Sequence, residues 1–142
     1  MNNKRLYRFL ALLLGGVIGM GFVAYQKKEG DMKTIQTHTS KDLVITLLSE
    51  TGELKQGKND FVLEFRSAST QQPVDVGRVT IASTMAMPGM SPMSAGVELA
   101  PVGGTGRYKV KAGFEMSGAW RFSIQWDGPT GKGGTSFNSH VR

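Results

Sequence analysis

The sequence contains no cysteine and only two histidines among its 142 residues. Without cysteine, the chain can have no disulfide bond, no thiolate metal centre and no lipid attached through a thiol. A domain without disulfide bonds depends on its hydrophobic core, and about 100 residues can supply one. Paired carboxylates, phosphate-binding loops and metal-hydrolase spacings are also missing, so we expect no enzyme, no catalytic residue and no organic cofactor.

The chain has little excess charge outside its N-terminal segment. The net charge is +6, but residues 27–142 carry 14 Lys and Arg against 11 Asp and Glu. These charges are scattered along the chain, whereas a nucleic-acid-binding domain carries a concentrated basic surface. We therefore expect no nucleic-acid partner.

One long hydrophobic run is present, Phe9–Tyr25, and it follows a basic stretch within residues 1–8. This pattern is typical of an export signal, and residues 1–26 are interpreted as a signal sequence or signal anchor. Small residues precede a possible cleavage point after Gly21, but the Ala-x-Ala form is missing. An uncleaved anchor of 17 residues is favoured, at the short limit for a membrane-spanning helix. In both cases the remaining chain is expected in the cell envelope, outside the cytoplasm (periplasmic).

The exported part divides into a polar tether, residues 27–40, and one domain, residues 41–142. Within the domain, apolar residues recur at every second position, as they do in half-buried strands. The runs cover residues 43–48, 61–66, 78–81, 97–99, 107–114, 120–126 and 135–141. Segments rich in Gly, Pro, Asn, Asp and Ser separate them, which predicts an immunoglobulin-like antiparallel β-sandwich of about seven strands. The apolar face of the sixth run is expected to point inward, with Trp120, Phe122, Ile124 and Trp126.

A methionine-rich loop interrupts this pattern. Met85–Met93 reads MAMPGMSPM, so four of the eight methionines fall within nine residues. Pro and Gly predict a loop, where exposed methionine is unusual unless its sulfur or its soft surface is used. A thioether is a soft, neutral ligand that suits Cu(I). Core packing or an adaptable contact with a partner is the alternative interpretation.

Strand alternation predicts which candidate ligands meet. If consecutive strands run in opposite directions, the methionine loop, the turn after the fifth strand and the end of the seventh strand share one end. The candidate copper ligands at that end are Met85, Met87, Met90, Met93, Met116 and His140. The tether would enter at the opposite end, so this end is expected to face away from the membrane.

Three short motifs resemble the YtkA-like family, which is close to FixH-type proteins. They are the methionine loop, Gly106-Arg107-Tyr108, and Met116-Ser117-Gly118-Ala119-Trp120, and the resemblance covers about residues 41–127. It implies a small exported or membrane-anchored immunoglobulin-like domain. It also implies a role in copper or heavy-metal handling, with metal-efflux or oxidase-assembly proteins as partners.

The alternative function is an envelope interaction module that binds no metal. In that case the methionine loop contacts an apolar surface of a partner, and the row Arg107, Lys109 and Lys111 contacts acidic groups. A solvated strand face is the favoured interpretation of this row. Replacement of the loop methionines by leucine separates the two functions, because leucine keeps the apolar surface but lacks the sulfur.

Overall fold

The structure, a computed structural model, describes residues 31–142, which form nine β-strands and no α-helix. The strands are β1 Lys33–Ser40, β2 Leu43–Ser49, β3 Gly57–Ser67, β4 Arg78–Met85, β5 Met93–Ser94, β6 Gly96–Pro101, β7 Arg107–Phe114, β8 Gly118–Gly128 and β9 Gly131–Val141. The predicted signal or anchor, residues 1–26, lies outside the described residues. Within residues 31–142, no helix has the length and apolar character needed to cross a membrane.

The strands form two antiparallel sheets, with the orders β1-β2-β3-β7-β6 and β5-β4-β8-β9. The predicted all-β sandwich is therefore confirmed, and each of the seven predicted runs lies in a strand. Without β1 and β5, the orders β2-β3-β7-β6 and β4-β8-β9 equal those of strands ABED and CFG in immunoglobulin constant domains.

The core lies between the inner faces of the two sheets. Trp120, Phe122 and Ile124 are fully buried and Trp126 nearly so, as predicted from the period-two pattern of β8. Phe122 lies at the centre of an aromatic cluster, with its ring centroid 5.8 Å from that of Phe137 and 6.0 Å from that of Phe114. The inner face of β8 is thus the main contact surface of the second sheet.

The predicted tether is wrong for residues 33–40, because they form β1 and pair with β2 along its whole length. Two β1 side chains also reach across to β9. The His38 ring stacks on Phe137 with centroids 4.9 Å apart, and Gln36 Nε2 donates a 2.9 Å hydrogen bond to the Asn138 carbonyl. This segment, KTIQTHTS, lacks the apolar alternation that predicts a strand, because an edge strand can keep polar side chains half exposed. Residues 27–30 lie outside the described part.

The added strand reverses the direction from which the chain enters the domain. We call the end at which β2 finishes the upper end. Lys33, the first residue of β1, pairs with Ser49, the last residue of β2, so the chain enters at the upper end. The methionine loop follows β4 and lies at the upper end as well. The expectation that the chain enters opposite this loop is therefore wrong.

Candidate metal site

The methionine loop is a hairpin that connects β4 to β5 at the upper end. Met85 and Met93 are directly paired across these two strands, so their side chains share a face. That face is the inner one, because Met85 is only 9% exposed and belongs to the core, while Met93 packs against the core. The first pair of thioethers therefore lies at the base of the hairpin.

A tight turn at the tip of the hairpin brings a second pair of methionines together. The Met90 amide donates a 3.0 Å hydrogen bond to the Met87 carbonyl across Pro88 and Gly89. Gly89 has a φ of 72°, and Pro followed by Gly with positive φ is the sequence of a type II turn. Met87 and Met90 therefore have Cα atoms within about 7 Å of each other. Met87 packs against the core, whereas Met90 is 72% exposed at the tip.

Met116 lies in the neighbouring turn between β7 and β8. Its carbonyl accepts a 2.9 Å hydrogen bond from the indole Nε1 of Trp120, and the Trp120 ring packs edge-to-face on Phe114 with centroids 5.1 Å apart. The backbone of the turn is thus fastened to the core. The Met116 side chain is 42% exposed and does not fill the core beneath it.

Gly118 joins this turn to the hairpin. A Cβ at Gly118 would lie 2.8 Å from the Met85 methyl carbon, and Gly118 has a φ of 132°. Both facts require glycine, because a side chain would displace Met85 and strain the backbone. The motif Met116-x-Gly118-x-Trp120 and the methionine loop therefore meet in space. Sequence reasoning missed this contact, for which the glycine within the motif was the available signal.

All six methionines of residues 31–142 lie at the upper end. The five predicted as ligands are joined by Met32, which directly precedes β1 and was not among the predicted ligands. In the five-stranded sheet, β1 and β6 occupy opposite edges, about 19 Å apart at the usual strand spacing. The hairpin lies on the β6 side, because β4, which leads into it, contacts β6. Met32 therefore shares the end but not the immediate neighbourhood of the loop methionines.

His140 lies at the same end but on a different face. It pairs with Ala119, and both are exposed on the outer face of the second sheet, whereas Met85 and Met93 face inward. The structure therefore does not bring His140 together with the methionine pairs. No group of three or more His, Asp or Glu side chains suited to hold a metal occurs in residues 31–142.

The basic row on β7 has acidic partners within its own sheet. Arg107 Nε lies 3.4 Å from Glu64 Oε2, and Lys111 is paired with Asp60 on one side and with Glu98 on the other. These neighbours compensate much of the positive charge of the row. This favours a solvated strand face over a surface that binds the acidic groups of a partner.

The lower end carries open grooves but little reactive chemistry. One, of about 580 Å³, is bordered by the β6–β7 loop and Tyr108, and another, of about 530 Å³, lies beside Trp126. The Tyr108 hydroxyl donates a hydrogen bond to the Gly77 carbonyl. Burial, and secondarily the charge of Asp75, raises the pKa of Tyr108. Tyr108 therefore stays protonated at neutral pH, and its hydrogen bond links β7 to the segment that precedes β4.

Comparison with known families identifies the domain. The profile of the YtkA-like family matches residues 37–125, from within β1 to within β8. The chain belongs to the YtkA-like family. No curated protein matches the sequence.

Solved structures give only weak similarities to this chain. A DUF4426 family protein from Pseudomonas aeruginosa PAO1 is 13% identical and has a TM-score of 0.46, with 75% of this chain and 96% of that chain covered. FetP from uropathogenic E. coli strain F11 is 9% identical, with a TM-score of 0.43 and coverages of 74% and 91%. A copper-bound variant of FetP is 9% identical and has a TM-score of 0.39, with 77% of this chain and 96% of that chain covered. Similarities this low assign no ligand to this chain.

Proposed function

We propose that this YtkA-like domain is a non-catalytic copper-binding accessory domain of the cell envelope. It binds one Cu(I) ion at the upper end, for metal efflux or for metal delivery to respiratory enzymes. The observation that carries the proposal is the grouping of the methionines, two pairs on one hairpin with Met116 on the adjoining turn. Membership of the YtkA-like family is consistent with metal handling.

The chemistry of the donor set fits Cu(I). This ion accepts soft, neutral ligands, and two to four thioethers satisfy it. The accessible candidates are Met87, Met90, Met93 and Met116, while the nearly buried Met85 supports the base of the hairpin and is a further candidate sulfur. His140 is an outside member of the pool because it faces the other side of its sheet.

The exposure gradient suits a domain that passes the ion on. Met90 stands in solvent at the hairpin tip, whereas Met93 and Met87 are half buried against the core. A partner can therefore reach the outermost thioether while the inner ones still hold the metal. The proposed place of work is the outer side of the cytoplasmic membrane, to which the run Phe9–Tyr25 anchors the domain.

Titration with Cu(I) under reducing conditions, against a competing chelator, tests the proposal. The protein should begin at Asp31, so that β1 is kept. The parent domain should bind one equivalent, and the triple variant Met87→Leu, Met90→Leu and Met93→Leu should lose most of the affinity. Met32→Leu is the matched control, since it removes the same chemistry at the same end but beside the opposite edge of the sandwich.

Two outcomes decide against copper. If the parent domain holds no Cu(I), or if the triple leucine variant holds it as well as the parent, the interaction module is the better function. The exposed Met90 and Met116 would then serve as an apolar contact surface. Affinity should change little between pH 7 and pH 5, because thioethers do not bind protons in this range. A marked fall near pH 6.5 would instead assign a ligand role to histidine.

A further inference from the structure

The chain enters the domain at the upper end because β1 runs antiparallel to β2. Lys33 pairs with Ser49 beside the loop that leads into β3, and Gly57 at the start of β3 pairs with Phe114 beside the Met116 turn. The same end holds the hairpin of Met85–Met93. The point of entry and the methionines therefore lie on one end surface of the sandwich.

The length of the connection limits how the domain can sit on a membrane. From Tyr25, the last residue of the apolar run, to Lys33 the chain makes eight residue steps, which span at most about 29 Å when fully extended. The sandwich itself is longer, since β8 and β9 each have eleven residues and extend for about 35 Å. An anchored domain therefore cannot stand with its lower end on the bilayer, because the connection would be too short to reach β1.

The surface at the upper end is apolar at its tips and balanced in charge. Met90 and Met116 are the large apolar side chains that are exposed in residues 31–142. The hairpin residues 84–96 carry no charge. The rest of this end carries both signs of charge in similar number: Lys33, Lys55, Lys58, Arg121 and Arg142, with Asp31, Glu50, Glu53 and Glu115. Such a surface offers no concentrated positive charge to anionic lipid headgroups and suits an apolar protein surface.

We infer that the upper end faces the membrane and that the protein which exchanges metal with it is embedded in that membrane. The inference rests on the proposed function, both for the anchor and for the metal. It assigns the tip of the hairpin, Met90, as the point of first contact, since Met90 is the most exposed of the large apolar side chains described. A soluble carrier would have to enter between the domain and the bilayer.

Distance measurements on the full chain in zwitterionic liposomes test the orientation. Because the chain has no cysteine, Met90→Cys and Thr130→Cys each give one labelling site, at the upper and the lower end respectively. Energy transfer from a dye at residue 90 to headgroup-labelled lipid should be clearly stronger than from residue 130. Insertion of 16 Gly and Ser residues after Gly30 should reduce the difference. Equal or stronger transfer from residue 130, or release of the domain from the liposomes, overturns the orientation.

Site-specific photocrosslinking in cells tests the partner. A benzophenone amino acid at position 90 of the full chain should form an adduct with a protein that mass spectrometry identifies as one with membrane-spanning segments, and the same group at position 130 should not. Adducts at position 90 with soluble proteins only, or none at that position, overturn the inferred partner. Cu(I) titration of the separate domain is independent of these results, so a failed orientation and a failed metal site can be told apart.

Discussion

Replacement of Gly118 by alanine tests how the methionine end is built. The new Cβ would lie 2.8 Å from the Met85 methyl carbon. Carbon atoms in contact prefer separations of about 3.5–4.0 Å, so the methyl group must move by about 0.7–1.2 Å. The φ of 132° adds backbone strain of about 1–3 kcal/mol for a residue with a Cβ. We expect Gly118→Ala to lower the free energy of unfolding by about 2–3 kcal/mol in total.

Urea unfolding of the domain that begins at Asp31 measures this cost. Thermal unfolding is a second measure: each kcal/mol should lower the melting temperature by about 4 °C in a domain of this size, so a decrease near 10 °C is expected. Gly113→Ala is the matched control, because a Cβ at Gly113 would meet nothing within 4 Å and the residue has no positive φ. The control should change stability by less than about 0.5 kcal/mol, or increase it slightly.

A double-mutant cycle separates the clash from the strain. Met85→Ala removes the methyl group that the new Cβ meets, so Gly118→Ala should cost less in that background, by about 0.5–1 kcal/mol. If the two costs are additive, Met85 does not press on Gly118 and the packing argument is wrong. If Gly118→Ala is as mild as the Gly113 control, the whole account of this position is refuted.

Three other changes have defined outcomes. Phe122→Ala should lower the free energy of unfolding by about 3–5 kcal/mol, because it removes the centre of the aromatic cluster, and a cost below about 1 kcal/mol would contradict the assigned core. Tyr108→Phe should reduce the loss of stability at high pH. Because the pKa of folded Tyr108 is raised, its contribution to stability is present below the ordinary value near 10 and is lost as the pH rises through the folded value. Between pH 8 and 11.5 the free energy of unfolding should therefore fall less steeply in the variant than in the parent. A domain that begins at Lys41 lacks β1, and it should melt earlier and self-associate through the uncovered edge of β2.

The strands themselves could be predicted from the sequence. Alternation of apolar and polar residues identified all seven runs, and it placed Trp120, Phe122, Ile124 and Trp126 on the inner face. The same alternation, combined with strand direction, predicted that the methionine loop and Met116 share one end. These features follow from local patterns, since the side-chain period of a strand is two wherever one face is buried.

The features that were missed depend on non-local contacts. The segment 33–40 is polar, and it is a strand because β2 and β9 offer it partners. That one strand places the entry of the chain at the same end as the methionines. The outward direction of His140 depends on its pairing with Ala119.

The sequence by itself determined the periodic strands, the all-β class, the YtkA-like motifs and the unusual concentration of thioethers in one loop. Only the tertiary structure decided which end the chain enters, which thioethers face the core and why position 118 must be glycine. The physical reason is that periodicity is a property of neighbouring residues. Strand pairing and the approach of Gly118 to Met85 join residues that are far apart in the chain.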